Sequence, residues 1–123
     1  MSRSMTLTMA CDGVTPASVS YTAGQRVEYN EPFLASNDQL FAMTIDVSQM
    51  KSLFIYSDVA ATLETNSSSA PATTLALVAG QPVAWSSTNG QTNPFGSTDV
   101  TAIYVSAASA GTLTIYYLVD PTV

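Results

Sequence analysis

Short apolar runs with a period of two residues recur from one end of this chain to the other. In the clearest run, Met5, Leu7, Met9 and Cys11 alternate with small and polar residues. Successive side chains of a β-strand point to opposite faces, so this period is typical of strands that bury one face. A helix needs apolar residues three and four positions apart, and no segment of 12 residues has that pattern. The chain is therefore predicted to be all-β.

Gly, Pro and Asn-Gly separate the apolar runs, as expected of turns between strands. Candidate strands lie at 5–11, 40–46, 51–57, 61–65, 74–78, 83–86, 100–105 and 112–119, with shorter candidates at 19–21 and 27–29. Residues 47–50 could form a single helical turn. About eight or nine closely spaced short strands predict an antiparallel β-sandwich of jelly-roll kind. We expect one domain over residues 1–123, with residues 1–4 as a candidate flexible arm.

The charge of the chain argues against nucleic acid as a partner, and the length of its apolar stretches argues against a membrane. Three cationic residues face nine acidic ones, for a net charge of −6, and Arg3, Arg26 and Lys51 are widely spaced. Nucleic-acid binding needs clustered cations, so it is not expected. No apolar stretch reaches the roughly 18 residues of a membrane-spanning helix, so membrane insertion is not expected either. Charged residues make up 10% of the chain, and Ser, Thr, Asn and Gln must supply most of the surface.

The sequence offers little reactive chemistry. It has no histidine, which excludes catalytic Ser-His and Cys-His pairs and histidine-ligated metals. The only lysine, Lys51, adjoins Ser52, which points to the opposite face of a strand. Acidic residues near strand ends usually bond to nearby turn amides, and no EF-hand or Asp-x-Asp spacing occurs. We therefore predict no catalytic residue, no metal ligand and no cofactor, and hence a protein that is not an enzyme.

Three predicted strands are apolar on both faces. Phe54 and Tyr56 oppose the apolar residues of their own strand, Tyr116 does so in the last strand, and Tyr104 does so in the strand before it. A small domain cannot bury both faces of three strands in one core, so a cover for the second face is expected. Two alternatives for this cover are considered: the chain's own loops at 67–72 and 88–97, or a partner chain that packs over an aromatic patch. The candidate interface is the face carrying Phe54, Tyr56, Tyr104 and Tyr116.

The stretch 62–85 contains the only tryptophan and one isolated acidic residue. Trp85 is in phase with Val83 and is predicted to point into the core, with sugar stacking or partner anchoring as the alternative. Glu64 is predicted to lie at a solvated position.

Several segments of residues 45–122 together resemble a known kind of protein. They are IDVSQMKSLFIYSD at 45–58, TLETNSSSAP at 62–71, GQPVAW at 80–85, NPF at 93–95, DVTAIYV at 99–105 and TLTIYYLVD at 112–120. In this order they resemble small structural proteins from the head-morphogenesis regions of tailed bacteriophages, of the jelly-roll capsid decoration or cement type.

The resemblance implies a non-enzymatic virion protein that binds the outer surface of the assembled major capsid protein and stabilises the head. The protein would be made in the host cytoplasm and would end on the capsid surface. Self-association is also expected, with a trimer as the matching symmetry at three-fold positions. Two alternatives stay open: a carbohydrate-binding β-sandwich module, and a component of the phage tail, neck or receptor-binding apparatus.

Overall fold

The computed structural model describes residues 3–11, 14–23, 25–88 and 90–120, and the first two of these ranges are described by their backbone. The described chain forms ten strands and one 3-10 turn at Val47–Gln49. The strands are β1 (Arg3–Cys11), β2 (Val14–Ala23), β3 (Gln25–Phe33), β4 (Ser36–Phe41), β5 (Met50–Ser57), β6 (Ala61–Thr65), β7 (Thr74–Leu77), β8 (Val83–Ser86), β9 (Ile103–Ala107) and β10 (Gly111–Val119).

Strands β3 to β10 form two four-stranded antiparallel sheets packed as a sandwich. The first sheet has the order β3-β10-β5-β8 and the second sheet the order β4-β9-β6-β7. The pairs β3–β10, β4–β9, β5–β8 and β6–β7 make one antiparallel ribbon that closes at the turn between β6 and β7. The ribbon folds over on itself, which brings β10 beside β5 and β9 beside β6. Each of these pairs forms a further antiparallel ladder. This arrangement is a jelly roll, which confirms the predicted fold class.

Alternate side chains of both sheets fill the space between them. The inward-facing aliphatic residues of the strands that are at most 1% exposed are Leu53, Ile55, Leu63, Ile103, Val105, Leu113 and Ile115. Each such aliphatic side chain contributes roughly 1.5–3 kcal/mol by leaving water. At one edge, the Tyr29 ring of the first sheet meets the Phe41 ring of the second sheet edge-on, with centroids 6.2 Å apart. The two sheets therefore share one continuous core.

Loop residues also enter this core. Phe95 is 1% exposed although it belongs to no strand. The Asn93 side chain accepts a hydrogen bond from the Phe95 amide at 2.9 Å, and the Thr73 hydroxyl donates to the Phe95 carbonyl at 3.1 Å. Gly96 follows with φ +73°, a left-handed conformation that glycine adopts without strain. The 93–96 turn is thus held so that its phenyl ring fills the interior.

Asn66 fixes the end of β6 to the segment that precedes β9. Its backbone is left-handed, with φ +72°, which asparagine tolerates better than most residues. Its side-chain oxygen accepts from the Thr101 amide at 2.7 Å, and its side-chain nitrogen donates to the Asp99 carbonyl at 2.9 Å. The Asp99 carboxylate in turn accepts from the Val47 amide at 3.0 Å. These bonds tie three loops together at the boundary of the sandwich.

Most predicted strands are confirmed, with small shifts at their ends. The prediction for 40–46 was partly wrong, because β4 ends at Phe41. Met43 and Ile45 nevertheless stay buried as predicted, and Ile45 forms an isolated bridge with Val100. The predicted helical turn is confirmed at Val47–Gln49. Of the candidate arm at 1–4, residues 1 and 2 lie outside the described residues, and β1 begins at Arg3.

Strands β1 and β2 pair with each other as a hairpin, and within the described strands neither joins a sheet of the sandwich. Backbone Cα atoms of this hairpin come within 8 Å of all four strands of the first sheet. The inner face of that sheet is occupied by the second sheet, so the hairpin lies across its outer face.

Candidate interaction surface

Three aromatic side chains form one cluster on the outer face of the first sheet. In β5, Leu53 and Ile55 point inward, so Phe54 and Tyr56 point outward; in β10, Tyr116 points outward and lies opposite Phe54 in the strand register. The Phe54 ring stacks with Tyr56 at a centroid distance of 6.5 Å and with Tyr116 at 6.1 Å. All three are half-buried. We call Phe54, Tyr56 and Tyr116 the aromatic cluster.

A polar pair, Asn30 of β3 and Thr114 of β10, borders this cluster. The Asn30 side-chain nitrogen donates to the Tyr116 hydroxyl at 3.3 Å, while its side-chain oxygen accepts from the Thr114 hydroxyl at 2.7 Å. These bonds orient the Tyr116 ring from one side, and the stacking with Phe54 orients it from the other. The aromatic cluster is therefore a fixed, half-exposed surface rather than a set of loose side chains.

Tyr104 does not belong with the other three predicted interface residues. It lies in β9 of the second sheet, where its neighbours Ile103 and Val105 point inward, so its ring faces the opposite side of the sandwich. The single four-residue face predicted from the sequence is thus wrong. The alternation placed Tyr104 outward correctly, but it could not reveal which of two sheets carries the strand.

The hairpin covers one end of the outer face of the first sheet. Ser52, Ser86 and Leu118 point outward there, and they are 1%, 2% and 0% exposed. β3, the first strand of the sandwich, begins at Gln25, and Gln25 pairs with Val119. The chain therefore enters the sandwich at this same end of the sheet. The Ser52 hydroxyl is buried with no hydrogen-bond partner among the residues the structure describes. The aromatic cluster begins one row further along the strands.

The cover therefore differs from the one expected from the chain's own loops. The loop at 88–97 turns its Phe95 inward, and the loop at 67–72 closes on β6, where Ala72 donates to the Thr65 carbonyl at 3.0 Å. Strands β1 and β2 supply the cover at one end of this face instead. The sequence signalled these strands but not their position on the sandwich.

The outer face of the second sheet carries Glu64 beside Tyr104, its register partner. Glu64, which was predicted to lie at a solvated position, is half-buried. Burial raises its pKa, and the neighbouring Asp38 carboxylate raises it further through its charge and a side-chain hydrogen bond. Asp38 itself has φ +55°, and its amide donates to the Ser106 hydroxyl at 2.9 Å. Two carboxyl groups are thus held together on a partly desolvated sheet surface.

We expect Glu64→Gln to stabilise the protein at pH 7. Because the pKa of folded Glu64 is raised, the unfolded chain loses this proton first as the pH rises, and the free energy of unfolding falls between the ordinary value near 4.5 and the higher folded value. Glutamine has no titrating carboxyl group, so the variant does not lose this part of the free energy of unfolding as the pH rises. Urea unfolding at several pH values should show wild type and variant equal in acid and separated at pH 7. Asp38→Asn should give part of the same gain, and a less stable Glu64→Gln variant at pH 7 would contradict the expectation.

The predicted inward position of Trp85 is confirmed. It is 8% exposed, and its indole nitrogen donates to the Gln91 carbonyl at 2.8 Å. A buried and hydrogen-bonded indole offers no open face for a sugar ring. Of the two roles considered for Trp85, the structural one is therefore correct.

A shallow depression of about 370 Å³ lies at one end of the second sheet. Its lining includes Ala60, Thr62, Ala76 and Ala107, and it contains no titratable side chain. Within the described residues, no three acidic or cysteine side chains are grouped as metal ligands. No helix among them is long and apolar enough to cross a membrane. The aromatic cluster is the most distinctive surface of the described part of the chain.

Comparison with protein-family models, with curated proteins and with solved structures finds no match in any of the three.

Proposed function

We propose that this chain is a non-enzymatic structural protein of a bacteriophage particle, which binds the outer surface of the assembled capsid lattice and reinforces the head. The observation that carries the proposal is the aromatic cluster, a half-exposed patch of stacked rings on a rigid sheet. Aromatic residues are enriched at protein interfaces, where they bury large areas at low cost in side-chain entropy. A jelly-roll sandwich is also a common architecture of capsid domains, although a fold by itself does not define a function.

The composition supports the same proposal. A surface built mainly from uncharged polar residues gives little electrostatic steering, and apolar contacts weaken little with salt. Decoration of a lattice does not need strong single contacts, because many identical sites act together when the protein self-associates. Such a role requires no acid–base catalytic residues, so the absence of histidine from the sequence is consistent with it.

Copy number in purified particles tests this proposal. Quantitative mass spectrometry of virions whose genome encodes the chain should find on the order of hundreds of copies, in fixed ratio to the major capsid protein. About a dozen copies would place the protein in the tail or neck instead. Absence from the particles would overturn the virion role altogether.

A carbohydrate-binding role is the second candidate, and the geometry of the aromatic cluster favours it. The planes of Phe54 and Tyr56 lie 7° apart, so the two rings stand nearly parallel, and Asn30 supplies hydrogen-bonding atoms beside the Tyr116 ring of the same cluster. Trp85 fluorescence would respond poorly because that ring is buried. Calorimetric titration with oligosaccharides is the better test, and saturable heat that disappears in Tyr56→Ser would favour this candidate over the lattice-binding role.

A further inference from the structure

We infer that the β1–β2 hairpin is an exchange arm, which in the self-associated protein lies on the outer face of the first sheet of a neighbouring copy. The inference deepens only the self-association part of the proposed function and does not depend on a capsid partner. Its basis is the way in which the hairpin is attached to the sandwich.

All strand pairing of the hairpin is internal. Within the described strands, β1 pairs with β2 from Arg3↔Ala23 to Cys11↔Val14 and with no strand of the sandwich. The arm can therefore leave or join a sandwich without breaking or making a sheet ladder. A two-stranded hairpin is marginally stable in water, so it needs a surface to pack on. The outer face of the first sheet is that surface, and every copy of the chain carries an identical one.

The connection to the sandwich favours exchange. A single residue, Gly24, separates β2 from β3. A connection of one residue limits how an arm can fold back onto its own domain, and short connections promote swapping between copies. The sequence also permits the extended form, because the apolar alternation of Val19 and Tyr21 continues in phase through the hinge to Val27 and Tyr29. With the hinge open, β2 and β3 would run on as one strand.

The exchange also specifies a symmetry. An arm on one copy and a face on the next make a head-to-tail contact, in which the two contacting surfaces differ. Such contacts close into a ring when the rotation between copies fits, so arms passed in one direction around a three-fold axis would give the expected trimer. The second copy is thus the occupant of the face, and its hairpin replaces the chain's own.

Two hinge variants of the full-length protein test the inference in opposite directions. Insertion of Gly-Ser-Gly-Ser after Gly24 lets the arm close on its own sandwich, and we expect roughly a tenfold or greater rise in the dissociation constant of the oligomer, measured by sedimentation equilibrium. Gly24→Pro fixes φ and favours an extended junction, and we expect tighter association. Equal association of both variants with wild type, or a wild-type protein that stays monomeric, would overturn the inference.

Cross-linking identifies the exchanged arm directly. A photoreactive phenylalanine analogue at position 19 in β2 is activated in an equal mixture of unlabelled and ¹⁵N-labelled protein that has been unfolded and refolded together. Cross-linked peptides that join β2 to β5 or β10 should then include species of mixed isotope composition. The Gly-Ser-Gly-Ser variant is the matched control and should give cross-links within one chain. Cross-links confined to single chains in the wild-type oligomer would show that the arm is not exchanged, while copy number in the particle would still decide the lattice role.

Discussion

Phe95→Ala should lower the free energy of unfolding by about 3–5 kcal/mol, the largest loss expected from one substitution outside the strands. The ring is 1% exposed and is held by a turn whose hydrogen bonds are already satisfied, so the surrounding chain cannot easily collapse into the space left behind. A loss of this size is a large part of the 5–15 kcal/mol of stability typical of a domain. Urea unfolding followed by the fluorescence of buried Trp85 and by far-ultraviolet circular dichroism would measure it.

The exposed residue Leu34 provides the control. It is also an apolar loop residue, but it is 67% exposed, so Leu34→Ala should change the free energy of unfolding by no more than about 0.5 kcal/mol. A cost below about 1 kcal/mol for Phe95→Ala would mean that the ring does not fill the core as described. Such a result would also remove the reason for the conformation of the 93–96 turn.

Under the proposed function, replacing Tyr56 and Tyr116 by serine should weaken binding to capsid lattices by roughly thirtyfold or more while leaving the domain folded. Truncation of an aromatic residue at the centre of an interface costs about 2 kcal/mol or more of binding energy, which corresponds to that factor. Both rings are half-buried and neither belongs to the core between the sheets, so the effect on folding should be the smaller one. Co-sedimentation with particles lacking the chain measures binding, and urea unfolding measures stability.

Tyr104→Ser is the matched control for this experiment. It removes the same kind of side chain from a half-buried position on the outer face of the other sheet. Unchanged binding of Tyr104→Ser beside lost binding of the double variant would assign the lattice contact to the aromatic cluster. The reverse result would assign it to the second sheet, and loss of the folded monomer in the double variant would show that the cluster is structural.

The fold could be predicted from the sequence because its signal is local. A period of two residues reports which side chains share a face, and Phe41, Met43 and Ile45 are buried together as that rule requires, even where regular pairing has ended. Glycines and prolines marked the turns for the same local reason. The jelly-roll arrangement was expected from the number and spacing of the strands.

What the sequence could not provide was the partner of each strand. Tyr104 was grouped with Tyr116 because both interrupt simple alternation, and the assignment to different sheets depends on pairing over long distances along the chain. The cover of the first sheet was missed for the same reason, since residues 3–23 have the pattern of ordinary strands. Phe95 carried no periodic signal at all, because a loop residue is buried by its turn rather than by a strand.

The ribbon arrangement has a consequence for how the protein is made. β10 is the last of the described strands along the chain, yet it lies between β3 and β5 in the first sheet. A nascent chain that lacks it can form neither neighbouring ladder, so that sheet can assemble only after β10 has been synthesised. The pairing of β3 with β10 also joins distant parts of the chain, which slows folding. Until then, strands already synthesised carry unpaired edges, and the cell must keep them from adhering to one another.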